Sequence, residues 1–180
     1  MAHDPFATLG VPRRFALDLK DAEKKHLELS KALHPDRYAN ASSNERRLAL
    51  SKAVEVNEAW RAVRDPIKRA EAILNLEGLA DEIGETREPK PSGAFLMEVL
   101  EAREALDEAK SSKDGARVHE VVEQAKKQHD DAQGALGKAI DESLGQPQIL
   151  RAAIPLLGTL RYATRFLNEA IAAEDHLSGF

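Results

Sequence analysis

The sequence predicts an all-α protein made of two helical units, and three observations carry that expectation. Apolar residues recur at steps of three and four, the period of a helix with one buried face. Aromatic residues make up only 4% of the chain, and much of its apolar content is Ala and Leu, which suits helices packed on helices and leaves little material for sheets. Glycine and proline gather between residues 78 and 93, which marks a boundary between two patterned halves. The 180 residues suffice for two small domains, and 42% hydrophobic with 32% charged residues is the balance of a folded chain. A net charge of −5 gives no general attraction to nucleic acid or to an anionic membrane. The absence of cysteine excludes disulfides and thiolate metal sites. The N-terminus Met-Ala-His-Asp-Pro-Phe lacks a basic segment and an apolar core, and the uncharged stretch between Arg151 and Arg161 is too short to span a bilayer. A cytoplasmic location is expected.

The first half reads as four helices. Asp4 caps a short helix through Leu9, closed by Gly10-Val11-Pro12. Asp18 caps a second, with Asp21 in its first turn where the helix dipole favours negative charge. Leu19, Ala22, His26, Leu29 and Leu33 make its inward stripe, while Lys20, Lys24 and Lys31 fall on a different face with Lys25 beside them. Pro35 stops this helix, because proline disfavours helical geometry in the residue before it. A third helix runs from about Ser43 to Arg64, with Ala49, Ala53, Val56, Trp60 and Val63 facing inward. The two long helices then form an antiparallel hairpin with His34-Pro35-Asp36 at its tip. Asp65-Pro66 starts a short fourth helix, from Ile67 to Leu76, that ends at Gly78.

From Asp4 to about Gly78 the chain resembles the J-domain family. The tripeptide His34-Pro35-Asp36 is supported by the Leu-Gly-Val turn after the first helix and by the lysine-bearing second helix. Asn57-Glu58-Ala59-Trp60 and Asp65-Pro66-Ile67-Lys68-Arg69-Ala70 extend the likeness. The resemblance implies that His34, Pro35, Asp36 and Arg37, with Lys20, Lys24, Lys25 and Lys31, contact a DnaK-type chaperone. The chemistry is compatible: Pro35 fixes the loop, Asp36 offers a carboxylate to an arginine, and the lysines steer encounter with an acidic surface. Two positions depart from the pattern. Leu33 stands where the family has tyrosine, and His26 occupies a stripe position normally large and apolar or aromatic. A partly buried, hydrogen-bonded histidine is expected there.

Residues 79–92 read as a linker between units at 1–78 and 93–180. Ser92 caps the first of three further helical stretches, at about Gly93–Ser111, Asp114–Leu144 and Pro147–Leu177. The second is the most regular, with Val118, Val121, Val122, Ala125, His129, Ala132, Leu136, Ile140 and Leu144 at helical steps. Pro155 and Gly158 predict a kink or restart in the third. Short connections between three amphipathic helices predict a three-helix bundle.

The first bundle helix carries two apolar faces. Phe95, Val99, Ala102 and Leu106 account for the core, and Leu96, Met97 and Leu100 cluster about a third of a turn away among Glu101, Glu104 and Glu108. Pattern alone leaves two readings open: a protein-binding patch rimmed by charge, or a broad face covered by other parts of the chain.

The run Ala94-Phe95-Leu96-Met97-Glu98, with Leu100-Glu101, Arg103-Glu104 and Leu106-Asp107-Glu108, is similar to the signature of the HscB family, as are Arg69-Ala70-Glu71 and Ile73-Leu74. This resemblance covers essentially the whole chain. It implies an N-terminal J-domain and a C-terminal scaffold-binding bundle of the HscB oligomerisation type, in an L-shaped arrangement of the bacterial kind, which lacks a cysteine-rich module. It also implies that Leu96, Met97, Leu100, Glu101, Glu104, Glu108 and Tyr162 bind an IscU-type iron–sulfur scaffold protein. Tyr162 stands where the family carries an aromatic contact, with a hydroxyl added to the ring.

The expected function is that of a cochaperone: it stimulates the ATPase of a DnaK/HscA-type chaperone and delivers the scaffold to it, which promotes cluster transfer. A J-protein with an unrelated client is the alternative. An enzyme is not expected. There is no glycine-rich phosphate loop and no cysteine nucleophile, and His119 and His129 lie almost three turns apart on one predicted helix. No cofactor or metal is expected.

Overall fold

A computed structural model of the chain describes residues 4–83 and 89–178. It is helical throughout, with no strand among the described residues, and its internal contacts divide it into Met1–Ala80 and Asp81–Phe180.

In the first unit, each helix begins where a side chain can satisfy the free amides of a first turn. Helix α1 (Pro5–Leu9) is capped by Asp4, whose Oδ1 accepts from the Phe6 and Ala7 amides at 2.9 and 3.0 Å. Gly10 closes it in the left-handed conformation at φ +66°. Helix α2 (Leu19–Ala32) is capped by Asp18, and a 3₁₀ turn (Pro35–Tyr38) follows it. Helix α3 (Ser43–Arg64) opens with a capping box in which Ser42 and Glu45 satisfy each other's amides. Asp65 both ends α3 and caps α4 (Pro66–Leu76).

Helices α1, α2 and α4 all pack on α3. Phe6, Leu9, Phe15, Ala22, Ala49, Val56, Ala59, Val63, Ile73 and Leu74 are buried. Arg69 is buried with them. Its Nη1 donates to the Val63 carbonyl at 3.1 Å, satisfying an acceptor at the end of α3, and its guanidinium lies 4.6 Å from the Phe15 ring centroid. Leu19, expected on the inward stripe of α2, is instead well exposed. It is the first residue of the helix, where the core has already tapered away.

The second unit is a bundle of α6 (Gly93–Ser111), α7 (Gly115–Glu142) and α9 (Ala153–Ser178). The one-turn helices α5 (Ala80–Ile83) and α8 (Pro147–Leu150) sit at its entry and before its last helix. Val99, Leu106, Val118, Val122, Ala125, Phe166 and Ala170 are among the side chains buried between the three long helices. The restart expected near Pro155 comes earlier, at Arg151 and Ala152 between α8 and α9. Pro155 then falls in the first turn of α9, where a missing amide proton leaves no hydrogen bond unmade. The connecting strap lies against α9. Pro89 and Pro91 are buried, and a Cβ at Gly158 would come 2.5 Å from the Pro89 carbonyl oxygen.

Candidate functional site

Two surfaces collect the residues that the sequence singles out, one on each unit. On the first, α2 stops at Leu33 and the 3₁₀ turn presents His34, Pro35 and Asp36 to solvent. The loop is internally braced. The His34 Nδ1 lies 3.4 Å from the Asp36 amide and accepts from it, and the Asp36 Oδ2 is also 3.4 Å from that nitrogen. The Arg37 amide donates to the His34 carbonyl at 3.0 Å. These bonds hold the tripeptide in one turn while the Asp36 carboxylate and the Arg37 side chain stay open.

The lysines separate into two groups. Lys20, Lys24 and Lys31 are exposed on the face of α2 that points away from Ala22 and the core. Lys25 lies on the other side, where its Nζ donates to the Gly10 carbonyl at 3.1 Å and pairs with Asp21 at 2.9 Å, so it ties α2 to the end of α1. Leu27 completes the outer stripe with Lys20, Lys24 and Lys31 at three- and four-residue steps, a spacing visible in the sequence. His26 is half-buried against α3. Its Nε2 is 3.0 Å from the Asn57 Oδ1 and 3.2 Å from the Ser30 Oγ, and its ring stacks on Trp60 with centroids 5.3 Å apart. A hydrogen-bonded histidine was expected there; the aromatic partner comes from α3 and is not legible in the local pattern.

On the second unit, Val99 and Leu106 of α6 are buried and Phe95 and Ala102 pack against the core. Leu96, Met97 and Leu100 remain 39%, 56% and 49% exposed within the second unit, which speaks against the alternative that the bundle itself covers them. Glu101, Glu104 and Glu108 are exposed beside them, and Glu104 and Glu108 line a shallow groove with Asp107, Ser111 and Ser112.

Tyr162 is on α9. The Arg103 Nε donates to Glu169 at 3.1 Å across the α6–α9 seam. The two helices run in the same direction, because the strap that enters α6 packs at Gly158, before Tyr162. Seven residues back from Arg103 and from Glu169 stand Leu96 and Tyr162, about two turns along each helix and on the same flanks. Tyr162 is therefore level with Leu96, and the Arg165 guanidinium lies 4.3 Å from its ring centroid. The Arg103–Glu169 pair is not distinguished in the sequence, since it depends on which flanks of two distant helices face each other, whereas Arg165 stands three residues from Tyr162 on the same helix.

Among the described residues, no cluster of three His, Asp or Glu side chains could hold a metal ion, and no helix is long and apolar enough to cross a membrane.

Residues 92–171 match the family model described as the HSCB C-terminal oligomerisation domain. The whole chain is similar to the chaperone HscB from Vibrio cholerae, at 28% identity and a TM-score of 0.78, covering 97% of this chain and 99% of that one. It also has the fold of the human co-chaperone protein HscB, at 23% identity and a TM-score of 0.78, covering 95% of this chain and 82% of that one.

Proposed function

We propose that the chain is a co-chaperone of the HscB type, as its matches to that family support, and that it couples two partners: a DnaK/HscA-type chaperone ATPase and an IscU-type iron–sulfur scaffold protein. Residues 1–78 act as a J-domain and residues 93–180 as the scaffold-binding domain, with 79–92 between them. His34, Pro35, Asp36 and Arg37 engage the chaperone and stimulate its ATPase. Lys20, Lys24 and Lys31 steer the encounter through an outward cationic stripe, and Lys25 acts by holding α2 in place. Leu96, Met97, Leu100 and Tyr162 seat the scaffold, and Glu101, Glu104 and Glu108 select a basic rim on it. The chaperone then grips the delivered scaffold and promotes cluster transfer. The chain itself makes and breaks no bonds.

The observation that carries this reading is the exposed apolar trio on α6, opposite a face that already satisfies the bundle core. Burial of three such side chains on a partner supplies the favourable free energy, and the carboxylates around them limit which partners fit.

Calorimetric titration with the scaffold from the same organism tests it. Binding in the micromolar range is expected, about −8 kcal/mol. The Leu96/Met97/Leu100→Ala variant is expected to lose about 1–2 kcal/mol or more, as hot-spot side chains do; unchanged affinity would remove α6 as the docking face. Steady-state ATPase assays of the chaperone supply the other half. His34→Gln should abolish stimulation and leave scaffold affinity intact, and loss of both would refute two separate sites.

A further inference from the structure

We infer that Arg165 is a positioning residue of the scaffold-binding face, acting through the ring of Tyr162. The inference deepens the function proposed above and rests on it.

Tyr162 differs from the three apolar residues of α6 in how it is held. Leu96, Met97 and Leu100 stand on one helix whose opposite face is locked into the core, so their directions are set by α6 itself. Tyr162 stands on the neighbouring helix at the same level, and its ring is only half-buried. An aromatic ring in that position can turn outward into water or lie along the seam beside Leu96. The Arg165 guanidinium, 4.3 Å from the ring centroid and three residues further along α9, covers one face of the ring. With that face occupied, the ring loses the freedom to swing and keeps its other contacts toward the seam. Preorganisation of this kind raises affinity by lowering the ordering cost of binding, without a contact from Arg165 to the partner.

The surroundings fit that role. Across the same seam Arg103 and Glu169 pair about two turns further on. The seam thus has an ion pair at one level and a ring under a guanidinium at another. The rim beyond Leu100 and Met97 carries Glu101, Glu104 and Glu108, so the occupant is a partner with an apolar knob beside basic side chains. Planar stacking on a ring is also a role that lysine fills poorly, which separates Arg165 from a simple positive charge.

A double-mutant cycle on the full-length chain, read by calorimetric affinity for the metal-free scaffold, tests the inference. Arg165→Ala is expected to weaken binding about two- to fivefold, the effect of one partly exposed cation–π contact, with an unchanged melting temperature. Arg165→Lys should recover only part of the loss, and Tyr162→Phe, which keeps the ring, should bind like the unsubstituted protein. In the Tyr162→Ala background, Arg165→Ala should add nothing. Additive losses would overturn the inference by making Arg165 an independent contact. An inert Arg165→Ala would overturn it as well, provided Leu96/Met97/Leu100→Ala still weakens binding. If that triple variant binds normally, the scaffold-binding reading of α6 fails and this inference with it.

Discussion

His34 and His26 are eight residues apart on one hairpin, and their surroundings assign them opposite work. His34 is exposed, braced only by its own turn, and available to a partner. His26 is committed inward, to Asn57, Ser30 and the face of Trp60. His26→Ala removes a stacked ring and a hydrogen bond that join α2 to α3, and is expected to cost about 1–2 kcal/mol of stability. His26→Phe keeps the stack and should cost less. Urea unfolding followed by the emission of Trp60, the one tryptophan of the chain, measures both; an alanine variant as stable as the original protein would show that the stack contributes nothing. At this scale the sequence was legible as residue types at helical positions. That His26 would be hydrogen-bonded followed from its place on the inward stripe. Its contact with Trp60, like the diversion of Lys25 to the Gly10 carbonyl, depends on how neighbouring helices are rotated against each other, which local periodicity does not encode.

Helix boundaries follow short-range chemistry, and most were readable. Asp4, Asp18, Ser42, Asp65, Ser92 and Asp114 each cap a helix through a side-chain oxygen. The Ser42–Glu45 box has a pH signature. The Ser42 hydroxyl, and then its amide, bond to the Glu45 carboxylate and hold its pKa below the ordinary value, although the group is open to solvent. A lowered folded pKa contributes stability that is fully present above the unfolded carboxylate range and is lost as pH falls through the folded value. The first turn of α3 is therefore expected to fray in acid. In an NMR titration Ser42→Ala, which removes the hydroxyl and keeps the amide, should move the Glu45 midpoint upward toward the ordinary carboxylate value; an unmoved midpoint would mean that the box is not formed in solution. Gly158 is an element-scale feature of another kind. A side chain there meets the Pro89 backbone rather than a yielding side chain, so Gly158→Ala is expected to cost about 1–3 kcal/mol and lower the melting temperature. The sequence marked Gly158 as a helix interruption, whereas its glycine is needed by the strap that crosses it.

Under the proposed function, joining the two surfaces on one chain would bring a scaffold held by α6 to the chaperone at high effective concentration. Mixing the His34→Gln and Leu96/Met97/Leu100→Ala proteins should therefore fail to restore scaffold-dependent ATPase stimulation, although each retains one surface; recovery in the mixture would show that the surfaces need not be linked. What the sequence by itself determined was the helical class, the caps, the exposed tripeptide and the surplus apolar face of α6, all consequences of spacing within about four residues. The HscB resemblance came from motifs on the same short scale. Only the tertiary structure decided that Leu19 is open, that α9 restarts before Pro155, and that the flank of α9 carrying Tyr162 meets the flank of α6 carrying Leu96. Those depend on where the core ends and on which helix flanks meet across a seam. Packing between residues more than 60 positions apart sets both, and the local pattern carries no record of it.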